Sequence, residues 1–151
     1  MGILILAGIW FFGRQEPAGE QIEHEQPQVQ TQSTVTLNGY ELGIEIVRTS
    51  EDQARGLSGR GSLRENTGMF FVYEEPLIPS FWMKDMNFPI DIIWVGNDKR
   101  IVDISENIAP ETFPQLFRPR APVQYVLEVN AGWAKTHTVS VGNEIVLNLG
   151  E

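Results

Sequence analysis

Three charged residues sit inside otherwise apolar stretches: Lys84 in FWMKDM, Asp91 in PIDIIWV and Glu128 in VQYVLEVN. A charge buried without a partner costs several kcal/mol, roughly, so such residues are paired, hydrogen-bonded or functional. Alternation along extended chain puts Trp82 with Lys84 on one face, and Asp91 with Ile93 and Val95 on another. Val126, Glu128 and Asn130 share a third. The expectation is that Lys84, Asp91 and Glu128 converge, together with Arg55 or Arg60. An ion-pair network that fixes strand register would account for them. So would a polar pocket for a small or saccharide-like ligand. Asp91 and Glu128 could further act as a glycosidase-type acid/base pair, which requires carboxyl groups about 5–10 Å apart across a cleft.

Other side chains add to this set. Trp82, Trp94 and Trp133 offer faces for sugar stacking or interfaces, although tryptophans in a small domain are commonly core. Trp133, on a short segment after Asn130, is expected to be the most exposed of them. Arg60 lies among Gly56, Gly59 and Gly61, which resembles a phosphate nest. These glycines follow a helix rather than open one, so they read as cap and turn residues. Arg118-Pro119-Arg120 is either a solvated loop or an anion-recognition loop. The ligand-binding candidates are therefore Arg60, Trp82, Lys84, Asp91, Glu128, Asn130 and Trp133.

Several chemistries are excluded. The chain has no cysteine, which removes disulfides, thiolate metal sites and a thiol nucleophile. His24 and His137 are far apart and form no metal-ligand spacing, so neither metal nor cofactor is expected. No serine elbow or glycine-rich phosphate loop occurs. The formal charge is −9 and no basic stripe exists, which argues against a nucleic-acid partner.

The elements that must position these residues occupy the C-terminal three-quarters of the 151-residue chain. Ile3–Phe12 reads ILILAGIWFF, and residues 1–14 are expected to be an apolar targeting or anchor segment. Such a helix would span only about 15 Å, half a bilayer core. Residues 15–34 hold six Gln and four Glu with few aliphatics, the composition of a disordered tether. Residues 35–151 form the folded domain. Asn38-Gly39 signals a hairpin, and GIEIVR continues as a strand. Ser50 is the expected N-cap of a short helix that Gly56 and Gly59 end, with Gln53 at the capping-box position. Strands are expected at Gly68–Tyr73, Ser80–Met86, Ile90–Val95, Arg100–Ile104, Gln124–Val129 and Val139–Leu149, the last with a turn at Gly142-Asn143. A second short helix should follow a cap at Asn130. The long proline-bearing loop over 108–122 is of the kind that often carries function. The fold class is mostly β, a β-sandwich, jelly-roll or barrel-like domain with one or two short helices.

Five motifs in order carry a resemblance: ARGLSGRGSL (54–63), GMFFVY (68–73), SFWMKDMNFPIDIIWV (80–95), RIVDISENIAP (100–110) and VQYVLEVNAGWA (123–134). Together they resemble the Domain of Unknown Function 192 family over about Leu37–Leu147. The resemblance implies a compact β-rich fold, proteins that often carry export signals, and no established activity. The family tends to have Asn-Thr where this chain has Asp85-Met86. The function expected is a non-catalytic, exported or envelope-associated binding module for a small molecule, glycan or protein partner, held at the membrane through its N-terminal segment. The competing readings are an envelope-glycan hydrolase using Asp91 and Glu128, and a purely structural module.

Overall fold

The computed structural model describes residues 32–150. The expected anchor at 1–14 and most of the expected tether lie outside the described residues. Among the described residues no helix is long and apolar enough to cross a membrane.

Seven strands form one curled sheet, a half-barrel, which realises the barrel-like expectation. In chain order they are β1 (Thr34–Leu37), β2 (Tyr40–Val47), β3 (Thr67–Leu77), β4 (Ile90–Val95), β5 (Ile101–Ile108), β6 (Val123–Asn130) and β7 (Ile145–Asn148). Their order across the sheet is β5-β4-β6-β3-β2-β1-β7. Every pairing is antiparallel except β2 with β3, which are parallel. A parallel pair needs a crossover, and helix α1 (Ser50–Arg55) with the loop after it supplies one. Helix α2 (Trp133–Thr136) follows β6.

Both faces of the sheet are apolar. One packs Phe70, Ile93, Val95, Leu127 and Val129 with Trp133 and Ala134 of α2. The other packs Met69, Phe71, Ile92, Trp94 and Val126 beneath Leu57, Phe81 and Met83 of the loops. All six residues of β4 are buried as a result, which is why IDIIWV lacks the alternation of a half-exposed strand.

Local chemistry explains the element ends. Asn38 and Gly39 both take positive φ (49° and 82°), the geometry of the two-residue hairpin turn. Thr49, not Ser50, caps α1: its hydroxyl oxygen accepts from the Asp52 amide at 3.2 Å. Gln53 makes no capping box. Its side-chain amide donates to the Val72 carbonyl at 2.9 Å and ties the helix to β3. Gly56 ends the helix at φ 51°.

Three expectations are corrected. Ser80–Met86 is a loop whose ladder contact is a single bridge between Phe81 and Phe117. Its alternation survives without a strand, because Phe81 and Met83 plug the core while Trp82 and Lys84 face out. The expected strand at Val139–Leu149 is confined to Ile145–Asn148, because the expected turn at Gly142-Asn143, closed by the Asn143 side-chain oxygen accepting from the Ser140 amide, takes up its whole first half. Helix α2 begins after Gly132 in the left-handed region, so Asn130 is not its cap. The folded part also starts slightly earlier than expected, since the Ser33 carbonyl already accepts from the Ile44 amide at 2.9 Å.

Candidate functional site

Strand register decides the fate of the three embedded charges. In the β4–β6 ladder Asp91 stands opposite Val129, and Ile92 opposite Glu128. Paired residues share a face, so Asp91 and Glu128 point to opposite sides of the sheet. Lys84 is exposed, with its ammonium 5.8 Å from the Trp82 ring centroid, a cation–π distance. The expected convergence of Lys84, Asp91 and Glu128 does not occur, and neither does the Asp91–Glu128 acid/base pair. Parity within each strand was sound, but pairing between strands sets the faces relative to one another.

Asp91 is fully buried and fully occupied. One carboxyl oxygen accepts from the amides of Asn107 (2.8 Å) and Gly132 (3.0 Å), the other from Ala134 (3.0 Å). The ladder between β4 and β5 slips at this point, and Asp91 receives the amide that the slip frees. The same carboxyl fixes the turn into α2. Its role is structural.

Glu128 is the opposite case. It is 6% exposed, lies between Met69 of β3 and Ile92 of β4 in the ladder, and its Oε2 has no hydrogen-bond partner among the described residues. Burial pushes its carboxyl up to about 8, against a smaller opposing pull from the Arg60 guanidinium. At neutral pH it is therefore mostly a neutral acid, able to donate a hydrogen bond.

A cavity of about 230 Å³ lies over this acid, lined by Gln53, Gly56, Tyr73, Ser80, Trp82 and Glu128 among others. Gly56 matters to its shape. A Cβ at this position would stand 4.0 Å from Glu128 Oε2 and 3.6 Å from the Phe71 ring, so the missing side chain leaves the acid open to approach. Beneath, Phe71 packs edge-on against Phe81 and Phe81 against Trp94, which stiffens the wall. The Tyr73 phenol is raised to about 12, first by burial and then by Glu128, and stays protonated. The Ser80 hydroxyl oxygen accepts from Arg118 Nε at 2.8 Å, which leaves its proton free.

The remaining candidates divide. Trp82 is half exposed, forms one rim of the cavity, and meets Phe113 edge-on at 5.9 Å. Arg60 grips Glu45 with both terminal nitrogens at 2.8 Å and lines an adjoining cavity that shares Arg55, Gly56 and Ser58 with the first. Arg118 is spent on Ser80 and Arg120 on Asp103 (2.7 Å). Asn130 donates to the Leu63 carbonyl at 3.0 Å and anchors the 60s loop. Trp133, expected to be the most exposed tryptophan, is buried and stacked on His137 at 4.2 Å. Asp91 holds its helix against the sheet, which is why it sinks while Trp82, on a loop, does not.

Sequence reasoning missed Tyr73, Ser80, Gln53 and Gly56. Tyr73 had a signal, because it shares parity with Met69 and Phe71 and ends an apolar run with a polar tip. Among the described residues no three His, Asp or Glu side chains cluster as metal ligands.

No curated protein matches the chain. Two crystal structures are similar to it. A protein of unknown function from Novosphingobium aromaticivorans is 34% identical, with a TM-score of 0.71, over 76% of this chain and 83% of that one. A candidate transcription regulator from Sinorhizobium meliloti is 28% identical, also with a TM-score of 0.71, over 77% of this chain and 92% of that one. The family model of DUF192, described as Uncharacterized ACR, matches residues 33–147, and the chain belongs to that family.

Proposed function

We propose that this chain is a non-catalytic binding module that takes a small molecule in the cavity above Glu128. The observation that carries the reading is Glu128, which lines the cavity beside Gly56 and whose Oε2 is sealed from solvent with no hydrogen-bond partner among the described residues. A buried polar atom without a partner costs about 1–3 kcal/mol, and a protein gains nothing from that cost unless a ligand or water completes the site. Trp82, half exposed at the rim, supplies an apolar platform for the ligand body.

Hydrolysis by Asp91 and Glu128 has no support, because the sheet separates the two carboxyls. The acidic balance of the chain speaks against a nucleic-acid partner, including the DNA that a transcription regulator would bind. The ten apolar residues Ile3–Phe12, followed by a Gln- and Glu-rich stretch, support export and a place in the cell envelope, tethered or released. The test is a small-molecule screen on the full chain, read as a rise in melting temperature, because a ligand that binds the native state stabilises it by mass action. Hits that shift the wild type and not Trp82→Ala support the reading. A screen whose hits are indifferent to both Trp82 and Glu128 overturns it.

A further inference from the structure

The lining of the Glu128 cavity points to a class of ligand, an inference that rests on the cavity being a binding site. The polar groups there are unequal in kind. Tyr73 and Ser80 each present a hydroxyl proton that no acceptor among the described residues takes, and Arg55 contributes to the lining. Glu128 adds an oxygen with no hydrogen-bond partner among the described residues. The acids nearest this group are already engaged from the outside: Asp52 by Arg55 and Glu45 by Arg60. Gln53 has committed its amide donors to the Val72 and Arg48 carbonyls.

From this donor-rich lining, we infer that the cavity takes a small organic carboxylate, its head held by Glu128 and Tyr73 and its apolar body against Trp82. A cationic ligand would meet Arg55 and Arg60 from the helix and the loop after it, and would find no ionised carboxylate free to pair with. A carboxylate meets the hydroxyl donors of Tyr73 and Ser80. Glu128 must carry its proton to take part, since two ionised carboxylates at hydrogen-bond distance repel. The groups that act on Glu128 are Tyr73 from β3 and Arg60 from the loop after α1, while Arg55 of α1 and Ser80, bonded to Arg118, share the cavity lining. The Tyr73 phenol stays neutral, so Glu128 is the group that changes charge near neutrality. The size of the cavity, about 230 Å³, favours a free small acid with one ring or a short chain.

The test compares three probes of one shape on the full chain: benzoate, benzamide and benzylamine, by calorimetry at about pH 6 and about pH 9.5. Benzoate is expected to bind best at the lower pH and to lose about tenfold or more at the higher one, as Glu128 ionises. In Glu128→Gln, whose amide still donates, benzoate binding is expected to persist with its pH dependence reduced to about twofold or less. Benzylamine binding better than benzoate at the lower pH would overturn the assignment, as would benzoate binding equally at both. If benzamide or benzylamine binds and Trp82→Ala abolishes it, the cavity is a binding site and only the carboxylate class is lost. If none of the three changes Trp82 fluorescence or the Glu128 carboxyl resonance, the ligand class and the site fall together.

Discussion

Asp91 and Glu128 stand on hydrogen-bonded neighbouring strands, one step apart in register, and face opposite sides of the same sheet. The two acids meet the same desolvation problem and resolve it differently. Asp91 gathers three backbone amides from Asn107, Gly132 and Ala134. Glu128 gathers none at Oε2 and keeps its proton instead. One carboxyl is spent on the fold, and the other is the one that the proposed ligand would meet.

Removing Asp91 should therefore damage stability most. Asp91→Ala strands three amides, one in a buried bond (Ala134) and two in part-buried ones (Asn107, Gly132), each costing about 1–3 kcal/mol when unpaired, and an overall loss of about 3–5 kcal/mol is expected. Glu128→Gln should lose under about 1 kcal/mol at low pH, where the acid it replaces is neutral in the folded and unfolded chain alike, and should lose nothing at neutral pH, where only the unfolded wild type gains the ionisation of Glu128. Urea denaturation of both variants checks the contrast. Equal losses would mean that Glu128 is held by bonds comparable to those of Asp91.

The protonation of Glu128 links its burial to pH. Its folded value, about 8, lies above the ordinary 4.5, so the native state binds the proton more tightly than the unfolded chain. Stability contributed by this group is complete below the unfolded value. It falls as pH rises through the window between the two, and is fully lost above about pH 8. The slope inside that window is about 1.4 kcal/mol per pH unit. The measurement is wild type minus Glu128→Gln by denaturation at several pH values: the difference should decline steadily from about pH 5 to pH 8 and then level. A flat difference would place the folded value near the unfolded one.

Much of the domain was legible in residue order, because apolar runs and turn residues act locally. Ile90–Val95 is a strand with the expected bounds, and Asn38-Gly39 turns the expected hairpin. The Ser80–Met86 segment shows where that logic ends. Its alternation was real, but alternation reports which side chains are buried, not whether a neighbouring strand is present to pair. The site was half legible for the same reason. Glu128 announced itself as a charge in an apolar strand, whereas its separation from Asp91 depends on a ladder register that no single strand encodes. Gly56 looked like a helix terminator, and is one. Its second role, keeping a side chain away from Glu128, exists only once the end of α1 comes so close that a Cβ there would stand 4.0 Å from that carboxyl.

Trp82 and Trp94 should separate binding from folding. Trp94 is wholly buried and its indole donates to Ser105 Oγ at 3.0 Å, so Trp94→Ala should cost about 3–5 kcal/mol. Trp82→Ala removes a half-exposed ring from a loop and should change stability by no more than about 0.5 kcal/mol, while ligand-induced stabilisation disappears. Melting curves with and without a screen hit report both quantities. A Trp82 variant that melts as low as the Trp94 variant would make the 80s loop part of the core.

Arg60 offers the sharpest electrostatic check, because it touches the acid only through space. Its guanidinium is bonded to Glu45, which it holds below the usual carboxylate range, and its charge partly offsets the burial of Glu128. The Arg60–Glu45 pair is well exposed to solvent, so Arg60→Gln should cost no more than about 1 kcal/mol of stability. The same substitution removes a favourable charge beside Glu128 and frees the Glu45 carboxylate nearby, and both changes disfavour ionisation. The Glu128 midpoint should move upward, and the Glu45 midpoint should return upward toward its ordinary value. Side-chain carboxyl resonances followed through a pH titration resolve the two groups. An unmoved Glu128 midpoint would show that solvent screens Arg60 from the cavity, and the attraction assigned to that side of the site would then rest on Arg55 alone.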